Sequence, residues 1–239
     1  MRMFKEYLKR YADEKGYPMT DECLDAFTTY YHTLVEWNEK MNLTGITEPR
    51  EVALKHMIDS LTVYDEKYFP EGAHVIDVGT GAGFPGVPLA IYQPHLNITL
   101  LDSLKKRLTF LDETLKLCKR EAELVHARAE DAGRDSSHRD SYDVAVSRAV
   151  ARLYRLAEWC LPFVKVGGVL LAMKGAKCQE EVDEAKKAIF LLGGKIEEVR
   201  EITLPELDDK RAIVVIRKVS PTPKTYPRRP AVAEKKPLL

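Results

Sequence analysis

The sequence predicts an α/β protein: a mostly parallel, seven-stranded sheet covered by helices, closed by an antiparallel hairpin and preceded by a helical cap. Three observations carry this reading. From residue 73 onward, short apolar runs alternate with longer helix-like segments, the pattern of strands buried on both faces and joined by crossover helices. Near the end the alternation stops, and two strand-like runs follow one another with no helix between them. The first apolar run ends in "DVGTGAGFPG", with four glycines in the eight positions from Gly79 to Gly86.

Each element follows in order. In "TDECLDAFTTYYHTLVEWNEKMN", Leu24, Phe27, Tyr31, Leu34, Val35 and Met41 keep mostly to three- and four-residue steps, which predicts a helix capped by Thr20 with acids in its first turn. Pro49 opens a second helix over "PREVALKHMIDSLTVYDEKY". Residues 1–70 are therefore read as a helical cap, too short to be a separate domain. Strands are expected at "AHVIDVG", "NITLLD", "AELVHA", "YDVAVSRA" and "GVLLAMKG", with helices at 85–93, 104–118, 152–162 and 178–192. "KIEEVREITLP" and "KRAIVVIRKV" form the closing hairpin, its turn placed around Leu207–Asp209. The sheet domain then spans 71–218, and 219–239 is a tail.

Composition excludes several classes. Hydrophobic residues make up 45% and charged residues 31%, and the formal net charge is zero, so any polyanion surface must arise from local clustering. Cys23, Cys118, Cys160 and Cys178 are scattered with no C-x-x-C pair, which argues against zinc, any other metal centre or a disulfide framework. The charged N-terminus has no apolar core, and no run approaches the roughly 20 residues of a membrane span. A cytoplasmic protein is expected, with nothing demanding a partner subunit, hence a monomer. From Arg217 onward, seven Lys and Arg residues stand against one Glu, among five of the thirteen prolines. That tail fits a solvated disordered segment and a polyanion-binding arm equally well.

Glycines at the carboxyl end of a first strand, ahead of a helix, let a ligand lie against bare backbone and meet outward N–H groups. Gly81, Gly83 and Gly86 satisfy G-x-G-x-x-G, with Asp102 placed as a ribose-binding acid, so a nicotinamide-dependent oxidoreductase is one reading. The tighter grouping Asp77-x-Gly79-x-Gly81-x-Gly83 resembles the S-adenosylmethionine site of class I methyltransferases, a Rossmann-like fold that also ends in an antiparallel hairpin. A non-catalytic RNA-binding module on the same fold is a third reading.

Acceptor chemistry narrows the choice. Cys160 lies in an apolar helical run, which argues against a 5-methylcytosine nucleophile, and "SRAVAR" stands where amine methyltransferases carry a Pro-Pro-aromatic loop. A guanine N7 atom needs neither nucleophile nor base, only alignment. In order, "WNEKMNLTGIT", "KHMIDSL", "VIDVGTGAGFPGVPLAI", "DSLKKRLTFL", "ARAED", "SRAVARL", "MKGAK" and "YPRRP…KKPL" resemble the RsmG (GidB) family, which makes 7-methylguanosine at guanine 527 in the 530 loop of 16S ribosomal RNA. The tail departs from the family pattern, since "YPRRPAV" lacks a glycine usual there.

The resemblance implies that Asp77, Gly79, Gly81 and Phe84 form the cofactor loop, that Asp102 with Ser103 and Leu104 holds the ribose and flanks the adenine, that Ala129 and Glu130 meet the adenine edge, and that Arg148 sits at the junction of cofactor and acceptor as the catalytic residue. The expected partner is 16S rRNA, in the small subunit or an assembly intermediate. Lys105, Lys106 and Arg107 occupy a helix first turn, where positive charge opposes the macrodipole; phosphate binding accounts for them better than a solvated face. Lys174, Arg228 and Arg229 join the expected RNA contacts. His56 and Asp59 share a helix face, either ordering the cap, touching the acceptor base or forming a plain surface pair. Asn42 is a turn residue by default and a pocket residue by family analogy.

Overall fold

The computed structural model describes residues 2–148 and 150–239; Ala149, read above as the end of the fourth strand, lies outside them. The strands form where apolar alternation places them: β1 (His74–Val78), β2 (Asn97–Asp102), β3 (Glu123–His126), β4 (Tyr142–Arg148), β5 (Val164–Lys174), β6 (Gly194–Leu204) and β7 (Leu207–Lys218). They make one seven-stranded sheet of order β3-β2-β1-β4-β5-β7-β6. All neighbours pair in parallel except β5–β7 and β6–β7. The order reverses between β1 and β4, so their carboxyl ends diverge into the crevice where such sheets bind ligands.

Helices cover both faces. α1 (Arg2–Lys15) and α2 (Asp21–Asn38) come first; Thr20 caps α2 by accepting from the Cys23 N–H at 3.2 Å. A single rod then runs through α3 (Pro49–Val52), a π-helical turn (Ala53–Ile58) and α4 (Asp59–Leu61). The sequence predicts plain helix here, because a π turn depends on tertiary packing rather than on periodicity. α5 (Gly86–Tyr92), α6 (Lys105–Leu117), α7 (Ala129–Ala132), α8 (Leu153–Cys160), α9 (Cys178–Leu191) and α10 (Pro230–Lys235) complete the set. No helix among the described residues is long and apolar enough to cross a membrane.

The N-terminal helices share one apolar core with α5, α6 and one face of the sheet; α8 and α9 pack on the other face. Tyr11, Phe27, Tyr30 and Leu34 are fully buried in the first core, each worth about 1.5–3 kcal/mol of burial. Tyr30 also reaches the glycine loop, its hydroxyl donating to the Ala82 carbonyl at 2.6 Å. The cap thus shapes the site directly.

The hairpin turns earlier than expected. Leu204 pairs with Leu207, leaving Pro205 and Glu206 as a two-residue loop. Glu206 takes a positive φ of +59°, and its carboxylate is held by Arg50, by Arg10 at 2.8 Å and by the Tyr11 hydroxyl at 2.8 Å. Those contacts come from α1 and α3, so the local sequence carries no sign of them.

The tail is folded onto the body rather than free. Arg139 donates to the carbonyls of Tyr226 and Thr222, each at 2.8 Å, and Arg134 to that of Pro227 at 2.8 Å. Arg228, expected on RNA, is instead committed to Glu158: its backbone N–H, Nε and Nη2 each donate to that carboxylate at 2.8 Å. Glu158 is buried on α8, and removing one member of a buried pair costs about 3–5 kcal/mol. Glu158→Ala should therefore release the tail. Limited trypsin digestion should then cut after Arg228 much faster than in the wild type, the Arg229–Pro230 bond being resistant; equal rates would refute the latch.

Candidate cofactor and acceptor site

The loop after β1 must reverse within a few residues under α2 and α5. Gly83 takes φ +98°, and a Cβ there would lie 2.6 Å from Val87 Cγ2 and 2.8 Å from the Tyr30 hydroxyl. Only glycine fits. At Gly86 an added Cβ would come within 2.8 Å of Asp77 Oδ2. That oxygen accepts from the Gly86 N–H at 2.8 Å and the Thr80 hydroxyl at 2.7 Å, tying the end of β1 to the start of α5.

Asp77 therefore serves the loop from below. It is fully buried and does not line the crevice, contrary to the expectation of a cofactor contact. Burial pushes its carboxyl up to about 6, against the hydrogen bonds from Thr80 and Gly86 that favour the anion. An acid at the end of a buried strand looks the same in sequence whether it faces ligand or loop.

A cavity of about 520 Å³ opens at the carboxyl ends of β1, β2 and β4. Gly79, Gly81, Phe84, Asp102, Ser103, Ala129, Glu130 and Arg148 all line it, and so does Arg107. Leu104 is half exposed and outside it, with Lys105 and Lys106 on the exposed first turn of α6. Asp102 Oδ2 accepts from the Gly81 N–H and Oδ1 from the Leu104 N–H, each at 2.9 Å, with Arg107 Nη1 3.4 Å from Oδ2. These contacts fix the carboxylate while leaving acceptor capacity towards the cavity. Paired hydroxyls of a ribose, donating, match those acceptors, and the bare glycine backbone beside them leaves room for the rest of a nucleoside.

On the α3–α4 side of the cavity, Arg148 leaves the end of β4 and joins a cluster that the sequence left open. Its Nη1 donates to Asp59 Oδ2 at 3.0 Å and to the Lys55 carbonyl at 3.2 Å, and its guanidinium lies 4.7 Å over the Phe84 ring. His56 stacks on the same ring at 4.5 Å, with Nε2 2.7 Å from the Thr44 hydroxyl and Nδ1 3.4 Å from Arg148 Nη2. Burial, reinforced by the Arg148 charge, lowers the His56 imidazole to about 4, so it is neutral near pH 7. His56 and Asp59 are buried and form no surface pair. The π turn widens the helix between them.

Lys174 does not reach the cavity; it is buried against Glu181 at 2.8 Å and the Ala151 carbonyl. Asn42 is exposed, and Asn38 orders that turn instead by accepting from the Leu43 and Thr44 N–H groups at 2.8 and 2.9 Å. Arg229 is exposed at the start of α10. Thr44, Arg128 and Val150 also line the cavity, from within quoted motifs but unassigned there, and Trp159 lines it without any motif to announce it.

A family model described as rRNA small subunit methyltransferase G matches residues 24–213. Curated proteins named ribosomal RNA small subunit methyltransferase G are similar along the whole chain. That of Alkaliphilus metalliredigens is 49% identical over 98% of both chains, and that of Clostridium novyi is 45% identical over 100% of this chain and 98% of its own. This chain belongs to the rRNA small subunit methyltransferase G family. Among solved structures, Pyrococcus horikoshii TYW2 with bound MeSAdo aligns at TM-score 0.53 and 18% identity, covering 68% of this chain and 62% of that one. A Thermus thermophilus branched-chain polyamine synthase variant aligns at 0.56 and 12%, covering 81% and 64%. At those identities the likeness concerns the fold alone, and fold alone does not choose the reaction.

Proposed function

We propose that the chain transfers the methyl group of S-adenosylmethionine to N7 of guanine 527 in the 530 loop of 16S ribosomal RNA. As a family member it is an S-adenosylmethionine-dependent methyltransferase of small-subunit ribosomal RNA, which sets aside both the oxidoreductase and the non-catalytic readings. The position and the atom are the proposal.

The observation that carries the choice of atom is the state of the groups around Arg148. His56 is neutral but a poor base, its imidazole lowered to about 4 with Nε2 engaged by Thr44. Asp59 is bound between Arg148 and Arg211, each at 3.0 Å. Among the described residues around Arg148 no group is poised to remove a proton, and N7 carries none. When bound, the cofactor would offer its sulfonium methyl to the N7 lone pair, and S-adenosylhomocysteine would leave with the C–S electron pair. The protein's task is alignment and exclusion of water. Asp102 fixes the ribose, Gly79 to Phe84 shape the loop, Ser103, Ala129 and Glu130 border the adenine, and Arg148 orients the acceptor. The positive charge gained by the base is stabilised by nearby Asp59.

Lys105, Lys106 and Arg107 are assigned to phosphates beside the cavity, and Arg229 to the RNA flank. The enzyme is taken to act in the cytoplasm as a monomer, on small subunits or their assembly intermediates. The test is methyl-labelled S-adenosylmethionine with small subunits lacking the modification, mapped by mass spectrometry of RNA fragments. Label at guanine 527 is expected. Label at another nucleotide refutes the position, and no label refutes the reading.

A further inference from the structure

Arg148 and His56 border two cavities. The first holds Asp102 and the glycine loop; the second, of about 310 Å³, lies beyond them against the end of β5 and the start of β7. Ligand pockets begin at about this size. Its walls include Ile46, Met173, Ile202 and Ile213, and Asp59, Arg148 and Arg211 give it a polar end. Asp59 is buried there, its Oδ2 accepting from Arg148 Nη1 and its Oδ1 from Arg211 Nη1, both at 3.0 Å. Arg211 Nε is buried with no acceptor among the described residues. A cavity with aliphatic side chains on its walls, a held carboxylate and a donor without an acceptor suits a ligand with apolar faces and a polar edge.

A guanidinium beside a carboxylate presents donors next to acceptors. Guanine is the one RNA base whose Watson–Crick edge shows an acceptor, O6, followed by two donors, N1–H and the 2-amino group. Adenine and cytosine begin with a donor, and uracil ends in a second acceptor that a carboxylate would repel. O6 is also the corner that the Watson–Crick edge shares with the N7 edge. Setting O6 on Arg148 therefore turns N7 towards the border that the two cavities share.

We propose that the second cavity receives the acceptor guanine, splayed out of its loop, with Asp59 accepting from N1–H and the 2-amino group while Arg148 donates to O6. This rests on the N7-methyltransferase reading and adds to it the residue that selects the base. Asp59 and Arg211 become specificity-determining, and the two guanidinium groups hold the carboxylate in register for the base edge.

Inosine separates the contact from the reaction, since it keeps N7, O6 and N1–H and lacks only the 2-amino group. Small subunits are reconstituted with guanine or inosine at position 527, and kcat/KM for methyl transfer is measured for wild type, Asp59→Ala and Asp59→Asn. Wild type should prefer guanine by about 10- to 100-fold, the worth of one charge-assisted hydrogen bond. Asp59→Ala should be slower on guanine and lose most of that preference, with S-adenosylhomocysteine binding retained as the sign of an intact first cavity. Asp59→Asn, which keeps the shape and loses the charge, should fall between them. A wild type indifferent to the 2-amino group overturns the proposal even if both variants fail to fold. So does an Asp59→Ala enzyme with the wild-type ratio. Failure of the parent reading looks different: the wild type would then transfer no methyl to position 527 on either substrate.

Discussion

Asp102→Ala is expected to lower the affinity for S-adenosylmethionine by about 100-fold or more and to abolish methylation at ordinary cofactor concentration. The carboxylate is buried at the cavity edge and fixed by the Gly81 and Leu104 amides, so it meets a ribose without reorganising. Two hydroxyls donating to an ionised acceptor are worth about 1.5–3 kcal/mol each, and every 1.4 kcal/mol is tenfold. Asp102→Asn keeps one acceptor and should fall between. Calorimetric titration with S-adenosylhomocysteine checks the affinity, and co-sedimentation with small subunits checks a further expectation, that RNA affinity is nearly kept. A variant with wild-type cofactor affinity would remove Asp102 from the site.

The second large effect concerns pH. The His56 imidazole is lowered in the folded protein from 6.5 to about 4 by burial and by Arg148. The unfolded chain therefore takes up a proton first as pH falls. The stability this neutral ring contributes is complete above the unfolded value of 6.5 and is lost as pH falls towards 4, by about 2 kcal/mol between pH 7 and pH 5. Asp77 works the other way. Raised from 3.8 to about 6, it favours the folded state below its unfolded value and loses that contribution as pH rises through 6. The wild type alone would show a partly cancelled profile, so the comparison must be with His56→Gln, which cannot charge. The stability of the variant relative to wild type should rise by about 2 kcal/mol from pH 7 to pH 5, read by urea denaturation. A gap that stays constant with pH would mean that His56 is not held neutral by its surroundings.

Local pattern made much of this molecule legible. Thr20 and Pro49 start their helices where capping rules place them, and the apolar runs of β1 to β5 are strands because period and length leave little else. The place of Asp102 was legible too: it ends the strand after the glycine loop and lines the cavity there. Even the basic first turn of α6 gave a partial signal: Arg107 turns into the cavity, and Lys105 and Lys106 stay on the surface. Asp77 shows the limit, since strand position says that an acid ends β1 but not whether it serves ligand or loop.

The sequence by itself determined the sheet, its closing hairpin, the glycine crevice and, through motifs spread along nearly the whole chain, the family. Only the tertiary structure decided what each charge does. Asp59 meets Arg148 across 89 residues and Arg211 across 152, Arg228 meets Glu158 across 70, and Glu206 meets Arg10 across 196. A strand or helix needs only the periodicity of its own residues. An ion pair needs two distant positions brought to one place, and strand order and register set that place.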